Sequence, residues 1–280
     1  MLVYNLALVS LVRGHDASDI ARVAAALQRQ ATRDFSPLWG VRASVDAFPR
    51  LKDVPIGYWP MIVETDIHTP GAAGVHEDRN GQPFALIEMS DSWSLTASHE
   101  MLEMLADPFG RRTIAGRSPK IGQGRVEFLV EVCDPSEADQ FAYTVNDILV
   151  SDFYTPRFFD PTPVAGVRYS FTGAIKQPRQ ILRGGYLSWH HPPSNHWWQQ
   201  IWFGQRKQFR DLGVFDATAG SLRAWVDRNT EHPGIDTGLK KGAPVLRAAV
   251  AVGKETDKAA SSKADQWLEQ IELIKSDRTE

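Results

Sequence analysis

The stretch TASHEMLEMLAD, residues 96–107, decides how the first half of this chain is interpreted. It contains a His-Glu-x-x-Glu run formed by His99, Glu100 and Glu103. His99 and Glu103 are four residues apart, so they share one face of a helix, and Glu100 lies on an adjoining face. An imidazole and a carboxylate at this spacing, beside a second carboxylate, can supply two metal ligands and an acid–base group.

The helix predicted around this run is mostly apolar, which leaves its polar side chains on a narrow face. An unpaired carboxylate in such surroundings costs several kcal/mol, so a bound cation explains the polar face best. The alternative is an ordinary contact between His99 and Glu103 on a half-exposed surface. The apolar residues around the predicted helix are Leu95, Ala97, Met101, Leu102, Met104, Leu105 and Ala106.

A third ligand is expected from a loop rather than from the helix itself. Asp107 lies about 12 Å along the helix axis from His99, at ~1.5 Å per residue. Glu131 and Asp134 follow a predicted strand, from which a loop can fold back over the helix. We therefore predict a ligand among Glu131 and Asp134, although Asp134 before Pro135 is also a common way to start a turn. The predicted ion is Zn²⁺, with another divalent ion as an alternative.

The residue pattern predicts an α+β fold in three parts. Strands are expected at 2–12, 41–48, 60–67, 84–89 and 125–133, and helices at 16–35, 92–107, 215–228 and 260–275. A hairpin is expected around Asn146-Asp147. The predicted parts are a metal-binding region at 1–135, an aromatic β-rich region packed on it at 136–252, and a solvated helical or frayed tail at 253–280.

The order of elements and the motif together resemble the zincin metallopeptidase fold over residues 1–135. The resemblance implies His99 and Glu103 as ligands and Glu100 as the general base. Zincins commonly carry a second His at the position of Glu103. The segments 141–159 and 169–189 also look like a group of uncharacterised bacterial proteins that share this variant motif.

In zincins an edge strand beside the cleft aligns the peptide substrate above the metal helix. Residues 71–89 look like that edge region, which implies substrate binding by Ala72, Ala73, Gly74 and Val75. His76 follows them; it is a candidate for binding substrate or metal, and the favoured interpretation is a surface loop residue. The predicted function is zinc-dependent hydrolysis of a peptide bond, with a peptide or protein as the partner.

A second hypothesis is a catalytically inactive, zincin-like binding or structural protein whose working surface is the aromatic region 186–203. This region contains His190, His191 and His196 among several Trp residues. The three histidines suggest a second metal tract or an aromatic binding platform. Because Pro interrupts the tract, we expect a loop with exposed His side chains.

Charge and cysteine content narrow the possible partners and compartment. The formal net charge is −3 without a basic block, so no nucleic-acid partner is expected. The apolar N-terminus has no positive region before it and favours a buried strand over a signal peptide. No membrane partner is expected. With Cys133 as the single cysteine, an intrachain disulfide is impossible, and a cytoplasmic location is expected.

Overall fold

The computed structural model describes residues 3–69, 71–219 and 221–230. Within these ranges the strands form two five-stranded sheets and one small hairpin. The strands are β1 (Val3–Ser10), β2 (Arg42–Phe48), β3 (Tyr58–Glu64), β4 (Gly74–Arg79), β5 (Gln82–Glu88), β6 (Thr113–Arg117), β7 (Arg125–Leu129), β8 (Tyr143–Val145), β9 (Ile148–Val150), β10 (Tyr186–His191), β11 (His196–Ile201) and β12 (Gln208–Gly213). The α-helices are α1 (Ala17–Arg29), α2 (Ser36–Trp39), α3 (Trp93–Ala106) and α4 (Leu222–Asn229).

The first sheet has the strand order β2-β1-β3-β5-β4. Strands β1, β2, β3 and β5 are parallel, whereas β4 is antiparallel to β5 and forms one edge. Asn80 and Gly81 both have positive φ, as a tight turn between β4 and β5 requires. Every strand predicted before residue 90 is present, with its bounds shifted by a few residues.

Helices α1 and α3 cover one face of the first sheet, and α1 connects the parallel strands β1 and β2. Asp16 caps α1 by accepting a hydrogen bond from the Ser18 N–H. The main hydrophobic core lies between this face and the helices, and it continues into the second sheet through Phe128 and Trp189. The two sheets therefore share one core.

The second sheet is antiparallel throughout, with the order β12-β11-β10-β7-β6. Because β6 and β7 belong to it, a boundary at residue 135 cuts through this sheet. The region predicted as a loop with exposed His side chains is instead the β10–β11 hairpin. The prolines lie only in the short turn of this hairpin, Pro192 to Asn195, and therefore do not interrupt either strand.

The remaining predicted elements are confirmed in part. The β8–β9 hairpin turns at Asn146 and Asp147, which both have positive φ. Helix α4 is shorter than predicted and begins after Ser221, whose hydroxyl accepts from the Ala224 N–H. The predicted helix 260–275 and the tail 253–280 lie outside the described residues. The expected fold class is confirmed in its coarse form, a mixed α/β chain with several sheets and few helices.

Among the helices of the described ranges, none combines the length and the apolar character that crossing a bilayer requires.

Candidate metal centre

The His-Glu-x-x-Glu run lies on helix α3, which is largely buried. Its apolar residues, including Ala97, Met101 and Leu102, are fully buried against the main core. The polar face of α3 is thereby directed toward the loop that follows β7. The helix ends at Ala106, and the Asp107 N–H donates to the Glu103 carbonyl oxygen.

The loop after β7 brings Asp134 to the polar face of α3. A single 3-10 turn spans Asp134–Ser136, and the Cys133 N–H before it donates to Oε1 of Glu103 over 2.7 Å. Nε2 of His99 lies 3.0 Å from Oδ1 of Asp134 and 4.0 Å from Oε1 of Glu103. One ligand atom from each of these three residues lies within 4.8 Å of the others. The arrangement offers one nitrogen and two oxygen donors to a common point.

These three side chains are suited to hold a cation because they are buried and incompletely hydrogen-bonded. Glu103 and Asp134 are fully buried, and the His99 side chain is 15% exposed. Oδ1 of Asp134 accepts no hydrogen bond from the described residues, although it lies beside His99. Nitrogen and oxygen donors of this kind bind zinc, so the donor set fits the predicted ion.

Several carboxyl groups surround these three side chains, and among the described residues Arg223 is the guanidinium that contacts them. Arg223 of α4 donates to Oε1 of Glu131 over 2.9 Å and to Oδ2 of Asp134 over 3.3 Å, and it lies 3.8 Å from Oε2 of Glu103. Six carboxyl groups in and around the centre each have one buried oxygen that accepts no hydrogen bond from the described residues. These groups are Glu100, Glu103, Glu131, Asp134, Glu137 and Asp227.

Burial and mutual repulsion shift the acidities of these groups. Burial raises the pKa of Glu103 well above its usual range, and the charge of Asp134 adds to the effect. Burial likewise raises the pKa of Glu131, although Arg223 opposes the shift. For Asp134, burial is outweighed by Arg223 and His99, which lower the pKa of its carboxyl group. The cluster thus holds one firmly ionised carboxylate and neighbours that are costly to ionise without more positive charge.

The predicted third ligands are placed differently from one another. Asp134 joins His99 and Glu103, whereas Glu131 lies outside that group and is held by Arg223. Asp107 is turned away, since its Oδ2 accepts from the Arg112 N–H over 2.6 Å. Through this contact Asp107 braces the loop after α3, and it does not join the three ligand candidates.

Glu100 lies on the adjoining face of α3, against the edge strand β4. Its Oε2 is 3.4 Å from Nδ1 of His76, whose Nε2 lies 3.3 Å from the Asp107 carbonyl oxygen. His76 is 1% exposed, so its interpretation as a surface loop residue is wrong. Its side chain lies on the face of β4 that meets α3. The residue pattern does not predict a strand here, so His76 could not be assigned to a buried face from the sequence.

Strand β4 and α3 approach so closely at Gly74 that no larger residue fits. A Cβ atom there would lie 2.5 Å from Cγ2 of Thr96 and 2.8 Å from Oε1 of Glu100. Of the predicted substrate-binding residues, Ala72 and Ala73 precede the strand and Gly74 begins it. The Val75 side chain is buried in the small cluster on the opposite face of the sheet, so only its backbone is available at the edge.

The histidines of the β10–β11 hairpin do not converge on one point. Each has a separate partner, with His190 near Glu127, His191 near Ser194 and His196 near Asp211. Trp189 and Trp197 of the same hairpin are buried in the core rather than presented as a platform. Within the described ranges, the cluster of His99, Glu103 and Asp134 is the one group of three metal-ligating side chains.

Family models, curated proteins and solved structures give no match to this chain.

Arg223 is the main functional candidate that the sequence analysis did not identify. It is 4% exposed and approaches from α4, 89 positions after Asp134. The local sequence shows only an Arg and an Asp at helical spacing, Arg223 and Asp227, whose side chains are bonded over 3.0 Å. A contact across such a distance in sequence leaves no periodic signal.

Proposed function

We propose that this protein is a metal-dependent hydrolase, with zinc as its cofactor and a peptide as its substrate. One observation carries the proposal: a partly buried His and a buried Glu and Asp face one point, amid carboxyl groups that each have an oxygen with no hydrogen-bond donor among the described residues. A divalent cation balances such a cluster more completely than Arg223 alone, because it adds two positive charges where the donors converge.

His99, Glu103 and Asp134 would hold the ion, and Cys133 would fix Glu103 through its backbone N–H. A zinc ion in such a site supplies Lewis-acid polarisation and lowers the pKa of a bound water toward ~7. Glu100 is the residue proposed to take the proton from the attacking water and return it to the leaving amine. His76 neighbours the Glu100 carboxyl group and keeps it next to the edge strand.

The edge strand β4 supports a peptide as the substrate. It lies at the margin of the first sheet and forms an antiparallel hairpin with β5, the strand that leads into α3. An extended peptide can add to an exposed strand through main-chain hydrogen bonds, with modest demands on its sequence. The same relation of edge strand to metal helix underlies the resemblance to zincins.

A second candidate function is a catalytically inactive relative in which the cluster is structural. Arg223 favours it, because one guanidinium lies within ion-pair distance of Glu103, Glu131 and Asp134. The aromatic region 186–203 gives this alternative less support, since its Trp189 and Trp197 side chains are buried.

The variant Glu100→Gln separates the two functions. It keeps the size of the side chain and leaves His99, Glu103 and Asp134 intact, so the metal content should be unchanged. Hydrolysis of a mixed peptide library by the zinc-loaded protein should fall about 10²–10⁴-fold, the usual contribution of a general base. Wild-type protein that cleaves no peptide with zinc, manganese or cobalt supplied would favour the inactive relative.

A further inference from the structure

Arg223 is in contact with the candidate metal centre, but it does not face the same oxygen atoms as His99. Its Nη1 approaches Oδ2 of Asp134 at 3.3 Å and Oε2 of Glu103 at 3.8 Å. Nε2 of His99 instead approaches Oδ1 of Asp134 and Oε1 of Glu103. The guanidinium therefore donates to the outer oxygen of Asp134 and lies within ion-pair distance of the outer oxygen of Glu103, while the other oxygen of each carboxylate is the one nearer His99. The inner oxygen of Glu103 also accepts from the Cys133 N–H.

The shortest contacts of Arg223 are to acids outside the three-residue group. Its Nη1 lies 2.9 Å from Glu131, and its Nε donates to Asp227 over 3.0 Å. Two carboxylates that are not among the proposed ligands, those of Glu131 and Asp227, thus anchor the guanidinium. Among the described residues, Oδ1 of Asp134 accepts no hydrogen bond, and its near neighbour is Nε2 of His99 at 3.0 Å.

The position of Arg223 is fixed by apolar packing as well as by charge. Its neighbours Trp225 and Val226 are buried in a cluster with Leu129 and Trp197 of the second sheet. The Cβ atom of Arg223 also lies 2.5 Å from the place where a Cβ at Gly110 would be, so the backbones meet closely there. Helix α4 is therefore a fixed support for the guanidinium.

We propose that Arg223 is a positioning residue of the metal centre: it orients the Asp134 and Glu103 carboxylates so that their other oxygens converge with His99. The inference rests on the proposed function and extends the site to α4. Outer partners of this kind are a general requirement of metal sites, because they fix the orientation of the ligands. The competing role for Arg223 is that of a resident cation that takes the place of the ion.

The two roles predict opposite effects of Arg223→Gln on metal affinity. A nearby guanidinium repels an incoming dication, so removing a resident cation should tighten binding. Removing a positioning residue should weaken Zn²⁺ binding about 10–100-fold, as loss of an outer-shell partner usually does. Affinity is measured on the full chain by competition with a chromophoric chelator, and Co²⁺ absorption reports the ligand geometry. Arg223→Lys should recover part of the affinity, because it restores the charge without the planar fork.

Arg228→Gln is the matched control, since Arg228 is an exposed arginine of the same helix. It should leave both the affinity and the Co²⁺ spectrum unchanged. If wild type binds the metal and Arg223→Gln binds it equally well or more tightly, the positioning role is wrong. If wild type binds no divalent ion, the proposed function itself fails.

Far-UV circular dichroism and thermal unfolding show whether Arg223→Gln folds. If it does not, Asp227→Asn supplies the test, because it weakens the anchor of the guanidinium while keeping every proposed ligand. The expected result is Zn²⁺ binding that is weaker by about tenfold, at the low end of outer-shell effects, with an altered Co²⁺ spectrum. An unchanged affinity and spectrum in Asp227→Asn would overturn the inference.

Discussion

The two polar faces of α3 have different kinds of neighbours. On one face His99 and Glu103 meet the loop after β7 and the side chain of Arg223. On the other face Glu100 meets the edge strand, where His76 lies 3.4 Å away. On the first face, Arg223 contacts three carboxylates. On the second face, one carboxylate lies beside one histidine.

This difference indicates a division of labour within one helix. The acid-rich face is the part that an additional cation would stabilise, since ligand atoms of His99, Glu103 and Asp134 converge there beside further carboxylates. The Glu100 face lies next to the strand on which we propose that a peptide aligns, and its carboxylate has His76 beside it. We therefore expect that separate substitutions can remove metal binding and proton transfer.

The largest effect is expected from Asp134→Asn on the acid-rich face. The amide keeps the shape of the side chain but removes the charge that faces His99. Zn²⁺ affinity should fall at least about 100-fold, beyond the range seen for outer-shell partners. Isothermal titration calorimetry measures the affinity, and a variant that binds zinc as tightly as wild type would remove Asp134 from the ligand set.

On the Glu100 face, Gly74→Val should destabilise the fold. The new side chain would collide with Thr96 and Glu100, so β4 and α3 must separate. Overpacking of this kind costs about 1–3 kcal/mol in the free energy of unfolding, measurable by urea denaturation. Ala73→Val is the control, because Ala73 is exposed and precedes the strand; a loss as large in the control would show that the close approach at Gly74 is unimportant.

Asp107→Ala tests the end of α3, between the two faces. The variant removes the acceptor of the Arg112 N–H and should cost about 1–2 kcal/mol of stability. Its zinc content should equal that of wild type, measured after dialysis. Loss of zinc with the fold intact would place Asp107 in the metal centre and contradict its role as a brace.

The smallest effect is expected from His190→Ala, far from both faces of α3. His190 bonds to Glu127 and Asn195 on a partly exposed hairpin, so its loss should cost about 0.5–1 kcal/mol. Zinc binding should not change. A fall in zinc content would revive the aromatic hairpin as a second metal tract.

Four of the five strands of the first sheet could be predicted from the sequence because they follow clear apolar patterns, whereas β4 could be expected only as the edge region that the resemblance implies. The run from β1 to α3 follows apolar alternation and helical spacing, and its turns carry Gly, Asn or Pro. In the candidate site, His99, Glu100 and Glu103 could be predicted because they are close together in sequence. A third ligand from the loop at 131–134 could be predicted because Asp107 lies too far along the helix axis from His99. Whether they bind an ion stays a prediction.

The second sheet and the contacts of α4 could not be predicted in the same way. Strand β10 pairs with β7, which is distant in sequence. Without knowledge of this pairing, the aromatic and Pro-containing sequence of the β10–β11 hairpin is typical of a loop. Arg223 reaches Asp134 only through the packing of α4 on the second sheet. Non-local contacts of this kind depend on the assembled core and leave no pattern in a short stretch of sequence.

The metal content of the purified, untagged chain tests the central claim most directly. Elemental analysis should find about one equivalent of a divalent ion in wild type, as expected for a single site with three protein ligands. His99→Ala and Glu103→Ala should each retain a small fraction of it, whereas Arg228→Gln should match wild type. Wild-type protein that neither contains nor takes up a divalent ion, or full occupancy in both ligand variants, would contradict the account.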